Sequence, residues 1–86
     1  MDKYEILRKR LLYQCQHRGM REMDFLLGNF GIKHIPSMTY DTLNQLEVLL
    51  ALPDQVLYGW FFERAPIPEN GLKPLINMIQ QSKDSL

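Results

Sequence analysis

The chain has little from which a catalytic or metal site could be built: one cysteine and two histidines in 86 residues. Cys15 has no partner for an internal disulfide, which fits a reducing compartment. Cys15 and His17 stand two apart, about 200° around a helical wheel, so they meet neither as nucleophile and base nor as ligands of one metal. His34 stands alone in a stretch read as loop, and a metal site needs three or four ligands. No Gly-x-Gly-x-x-Gly pattern or phosphate-binding glycine loop occurs, so no stably held cofactor is expected of the chain itself. Glu22 and Asp24 fall on different helix faces and make no ready acid and base pair. A binding module is expected, not an enzyme.

Long apolar runs are lacking as well. The longest, 48–52, is stopped by Pro53 and is far too short to span a bilayer. The basic cluster Arg8-Lys9-Arg10 is followed by no apolar h-region, and Asp2 and Glu5 with no serine nearby argue against a mitochondrial leader. A bacterial cytoplasmic protein is the expectation. Charge of one sign is lacking too, since ten basic residues face ten acidic ones. That balance hides an asymmetry: residues 1–21 carry Lys3, Arg8, Lys9, Arg10, Arg18 and Arg21 against Asp2 and Glu5, six minus two, leaving −4 for the remainder. A basic first helix can meet an acidic partner surface or nucleic acid, or can simply be a solvated face.

What is present is helical periodicity. Tyr4, Leu7, Leu11 and Cys15, widened by Leu12, predict an amphipathic helix over about 3–17. Gly19 ends it. Met20, Met23, Leu27 and Phe30, with Leu26, predict a second helix reaching the Gly28–Gly31 region, followed by a loop to Met38 that contains Pro36. Thr39 is a good N-cap for a third helix to about Ala51, with Leu43, Leu46, Leu49 and Leu50 on its buried stripe. Pro53 breaks the chain and Asp54 is placed to cap a short aromatic helix to about Glu63, in which Trp60 belongs to the core and Tyr58 to the rim. Ala65-Pro66-Ile67-Pro68 must be extended. Asn70 is placed to cap a last helix carrying Leu72, Leu75, Ile76 and Ile79, with Pro74 in its first turn and a frayed tail over 82–86. Without period-two alternation, the fold class is all-α: one small domain, 1–86, built as a five-helix bundle.

The stretch His17-Arg18-Gly19-Met20-Arg21-Glu22-Met23-Asp24 concentrates the unusual chemistry. A glycine between two helices can take positive φ and leave a patch of backbone bare for another surface. Glu22, one turn on, would stand beside it. The plainer alternative is a C-cap with Arg18 and Glu22 as a solvated pair.

These residues carry a resemblance. Arg18-Gly19-x-x-Glu22, Leu26-Leu27 with Phe30, the helix over 43–50, and Pro53-Asp54-Gln55 with Leu57-Tyr58-x-Trp60 are similar, in order and spacing over roughly residues 7–80, to the succinate dehydrogenase flavinylation (FAD assembly) factors. Two departures are His17, where the family often has a basic residue, and Val56, where it often has an acidic one. The resemblance implies a five-helix chaperone that binds the flavoprotein subunit of succinate dehydrogenase, with fumarate reductase as a further client, and promotes attachment of FAD to a histidine of that subunit. FAD is then the client's cofactor and none is bound stably by the factor. The implied partner-binding residues are Arg18, Gly19, Met20, Arg21, Glu22, Asp54 and Tyr58, on a monomer that forms a heterodimer with its client. The alternative is an antitoxin-like or nucleic-acid-binding regulatory protein, against which stands the absence of aromatics among Arg8, Lys9 and Arg10.

Overall fold

The protein is seen in a computed structural model that describes residues 2–84. Five helices follow one another: α1 (Lys3–Gln16), α2 (Arg21–His34), α3 (Tyr40–Leu50), α4 (Asp54–Phe62) and α5 (Lys73–Asp84), with a 3₁₀ turn, Ile35–Ser37, between α2 and α3. No strand occurs among the described residues. The all-α expectation holds.

Side-chain caps account for two of the helix starts, those of α1 and α3. The Asp2 carboxylate accepts from the N–H groups of Tyr4 and Glu5, both at 2.9 Å, and so caps α1. The Thr39 hydroxyl accepts from Thr42 N–H at the start of α3, as its type and position predicted. Asn70 acts two residues earlier than a cap of α5 would, its side chain taking Leu72 N–H at 2.9 Å in the turn that leads into the helix.

Three further expectations are corrected. The first concerns α2, which does not stop near Gly31 but runs to His34, so the stretch read as loop is helix and then 3₁₀ turn, and His34 is helical. The reason lies in packing. A Cβ on Gly31 would stand 3.1 Å from Leu12 Cδ1 and 3.4 Å from Cys15 Cβ, while one on Gly28 would meet Gln16 Cγ at 3.4 Å. The tight space at Gly31 lets α2 lie close along α1, with later residues of α2 beside earlier residues of α1, an antiparallel pair joined at Gly19. The second concerns Asp54, which does not cap α4: Pro53 occupies that position and Asp54 is already the first helical residue. Its carboxylate is engaged elsewhere. The third concerns the tail, because 82–84 belong to α5, whereas the expected fraying at 85 and 86 lies outside the described residues.

α3 follows the direction of α1, with Tyr40 beside Tyr4 (ring centroids 4.9 Å apart) and Glu47 paired with Arg10. α5 closes the bundle against α2, α3 and α4. Leu11 and Cys15 of α1, Leu26, Leu27 and Phe30 of α2, Leu43, Leu46 and Leu49 of α3, Leu57, Trp60 and Phe61 of α4, and Leu75, Ile76 and Ile79 of α5 form one core. No polar or charged residue is buried with them among the described residues. Non-directional burial of this kind holds the helices, and the polar groups at the helix corners determine how the corners meet.

Candidate functional site

The corner between α1 and α2 is built on Gly19. It has φ +90°, a region in which a side chain is strained, and a Cβ placed on it would meet nothing within 4 Å. The patch of bare backbone therefore faces outward. Arg21 and Glu22 follow in the first turn of α2, both exposed, and among the described residues neither side chain is paired. A carboxylate at a helix N-terminus sits favourably in the helix dipole. Met20, the residue before α2, is half-buried and packs against the core, so it anchors the corner more than it presents a surface.

Arg18 does not pair with Glu22, and it is not a solvated cation. Its side chain is 12% exposed. Nε donates to Asp54 Oδ1 at 2.8 Å, and Nη2 lies 2.7 Å from the same oxygen. Nη2 also donates to the Leu52 carbonyl at 2.9 Å, and Nη1 donates to the carbonyl of Leu50. Leu50 is the last residue of α3, whose terminal carbonyls lack partners within the helix. A guanidinium there satisfies them and complements the negative end of the dipole, and Asp54 sits at the positive end of α4. At its other end Arg18 donates its backbone N–H to Asp24 Oδ1 at 2.6 Å.

The structure thus brings Arg18 and Asp54 together from 36 positions apart. Tyr58 lies one turn further along α4, half-buried, with its ring 5.0 Å from that of Phe62. Trp60, at 8% exposure, is core as expected. The two departures from the family pattern are both on the surface: His17 stacks on Tyr13 at 4.2 Å, and Val56 is exposed on α4.

Two shallow grooves flank the corner. One runs from Gly19 and Arg21 along α2 past Phe25, Gly28 and Asn29 to Ile32. The other lies between Tyr13, His17 and Arg18 on one side and Glu47, Pro53 and Asp54 on the other. Among the described residues, no group of three His, Cys, Asp or Glu side chains is placed to hold a metal ion. The arrangement can do two things chemically: accept the close approach of another backbone at Gly19, and offer a cation and a carboxylate beside it.

Sequence reasoning missed Asp24, which it assigned only to another helix face. It also missed Phe25 and Ile32, which are 61% and 58% exposed. A signal for the last two existed, since both lie off the Met23, Leu27, Phe30 stripe. For Asp24 the signal was an acidic side chain six residues after a turn, which is weak without knowing how the turn folds.

A family model described as "Flavinator of succinate dehydrogenase" matches residues 9–83. The chain belongs to this family. Among its relatives, a mitochondrial succinate dehydrogenase assembly factor 2 of Dictyostelium discoideum is 36% identical over 80 residues, covering 93% of this chain and 57% of the relative. The FAD assembly factor SdhE of Acetobacter pasteurianus is 35% identical over 83 residues, covering 95% of this chain and 76% of that one. The FAD assembly factor SdhE of Haemophilus influenzae is 34% identical over 80 residues, covering 93% and 91%. The chain thus spans little more than half of the Dictyostelium relative and most of the two bacterial ones. The outward-facing Gly19 corner falls within the family match.

Proposed function

We propose that this chain is an assembly factor that docks on the flavoprotein subunit of succinate dehydrogenase and promotes covalent attachment of FAD to it. The family match over residues 9–83 carries the reading, and two bacterial relatives named as FAD assembly factors support it. The geometry supplies a means. Gly19 admits the client's backbone, and Arg21 and Glu22 offer charge-assisted hydrogen bonds at its edge. Contacts of this kind hold the client in the conformation in which its histidine and the flavin meet, and positioning alone contributes several kcal/mol to lowering such a barrier. The bond-forming chemistry belongs to the flavin and the flavoprotein, so this chain needs no catalytic constellation. It acts in the cytoplasm, as a monomer that forms a heterodimer with its client, and fumarate reductase is a further client. Tyr58, at the rim of α4, belongs to the outer edge of the docking surface.

The nucleic-acid reading draws little support from the arginines of the basic N-terminal stretch. Arg8 Nη2 donates to the Met38 carbonyl at 2.9 Å, Arg10 pairs with Glu47, Arg18 is held by Asp54, and Lys9 is not free either. Basic groups turned onto the protein's own body leave few to neutralise phosphates. No helix of the described residues is long and apolar enough to cross a membrane.

The test is co-expression with the flavoprotein subunit in a host lacking any such factor, with covalent flavin read as fluorescence of the denatured flavoprotein band. Flavin that appears only with this chain is expected. Equal fluorescence with and without it would contradict the assignment for that client.

A further inference from the structure

Residue 18 is fixed at both ends by carboxylates from different parts of the chain. Asp24, in the first turns of α2, holds its backbone N–H at 2.6 Å, and Asp54, at the start of α4, holds its guanidinium at 2.7–2.8 Å. The guanidinium is anchored further by the carbonyls of Leu50 and Leu52. Gly19 is the next residue, with its φ of +90° and open space above it. A residue with positive φ in a corner with no other lock samples several orientations, since glycine is the least restrained residue. Here the residue before it is held at both its backbone and its side chain.

The geometry points to Asp24 and Asp54 as positioning residues: each sets client affinity through Arg18, by fixing the direction in which Gly19 presents its bare backbone, without touching the client. This rests on the assembly-factor reading and deepens it. Two residues that resemblance marks as contacts, Arg18 and Asp54, become the mounting of the contact surface, and Asp24 joins them. Preorganisation of this kind raises affinity by removing the cost of ordering a loop on binding. The surface that meets the client is then Gly19, Arg21 and Glu22.

A double-mutant cycle separates mounting from contact. Arg18→Gln, Asp54→Asn, Asp54→Ala, Asp24→Asn, Asp24→Ala and the pair Arg18→Gln/Asp54→Ala are titrated against the purified apo flavoprotein subunit, with Glu22→Ala as the contact control. The ¹⁵N amide resonances of Arg18 and Gly19 are recorded in each free protein, and the near-isosteric Asn variants guard against loss of folding. Asp54→Ala is expected to weaken binding about tenfold, and the double variant no more than about twofold beyond Arg18→Gln alone, because the two act as one unit. In the free proteins the Gly19 amide should move in Asp24→Ala and Asp54→Ala, which remove the acceptors, and stay in place in Glu22→Ala.

Additive losses in the cycle, or weakened binding with an unmoved Gly19 resonance, would make Asp54 a direct contact and overturn the inference. Wild-type binding of the client with unchanged affinity in every Asp variant would overturn it while leaving the assembly function standing. Failure of the wild-type protein itself to bind would instead remove the assembly reading, and the inference with it.

Discussion

At the scale of single residues, two positions with positive φ behave oppositely. Gly19 at +90° is a glycine, and Arg64, just past α4 at +57°, is not. Arg64 takes the left-handed turn so that Ala65 N–H can return to the Gly59 carbonyl at 2.9 Å. Left-handed backbone costs a side-chain-bearing residue about 1–2 kcal/mol. Gly19→Ala should therefore lower the melting temperature by about 4–8 °C per kcal/mol lost, and Arg64→Gly should raise it by a similar step. Thermal unfolding followed by circular dichroism checks both. Because a Cβ at position 19 meets only open space, the stability loss is a backbone effect, and any larger loss in client binding reports the surface itself.

Cys15 supplies a pH prediction. Burial pushes its thiol up to about 12, against which the nearby Arg18 charge pulls it down. The folded value lies above the unfolded one, so the unfolded chain loses this proton first as pH rises. The stability it contributes is complete below about pH 9 and falls between about 9 and 12, at up to about 1.4 kcal/mol per pH unit. Native protein at pH 8 should resist thiol alkylation, and urea should expose Cys15 to it. Rapid alkylation of the folded protein would contradict its burial.

At the scale of elements, two glycines of α2 face α1 and differ in the room they have. A Cβ at Gly28 makes an ordinary contact, so Gly28→Ala should gain up to about 1 kcal/mol from helix propensity. Gly31 is tighter, with Leu12 Cδ1 and Ile35 Cδ1 3.1 and 3.2 Å from an added Cβ, and Gly31→Val should cost about 1–3 kcal/mol through overpacking. Urea denaturation of the two variants compares them directly. The same glycines show how far the helices were legible. Stripes such as Leu43, Leu46, Leu49 and Leu50 report burial through their spacing and located α3 well. Gly31 carries no such signal, because a glycine that ends a helix and one that lets two helices touch look alike in sequence. Asp54 was misread for a similar reason: an acidic residue after proline reads as a cap, and no local pattern shows that Pro53 takes that position while a guanidinium from 36 positions away takes the Asp54 carboxylate.

At the scale of the whole molecule, the basic stretch 1–21 and the acidic remainder meet inside one fold. Arg10–Glu47 and Arg18–Asp54 each join the basic N-terminal stretch to the acidic remainder, so the asymmetry serves the chain's own assembly. At the α1–α2 corner, what stays unpaired and outward is the Gly19 backbone, with Arg21 and Glu22 beside it. The candidate site was legible in the sequence as a location, since the Arg18–Glu22 stretch stands out by composition alone. The division within it was not, because whether Arg18 points out to a partner or in to α3 and α4 depends on a tertiary contact that no local pattern reveals.

The most direct measurement of the central claim is covalent flavin on the succinate dehydrogenase flavoprotein, co-expressed with no factor, with this chain, or with its Glu22→Ala variant. Glu22 is exposed and its removal should change stability by no more than about 1 kcal/mol, through its place in the helix dipole. A fluorescent flavoprotein band is expected with the wild-type chain, and a much weaker one with a variant that remains folded. Undiminished flavin with the folded variant would remove Glu22 from the docking surface, and undiminished flavin with no factor at all would contradict the function.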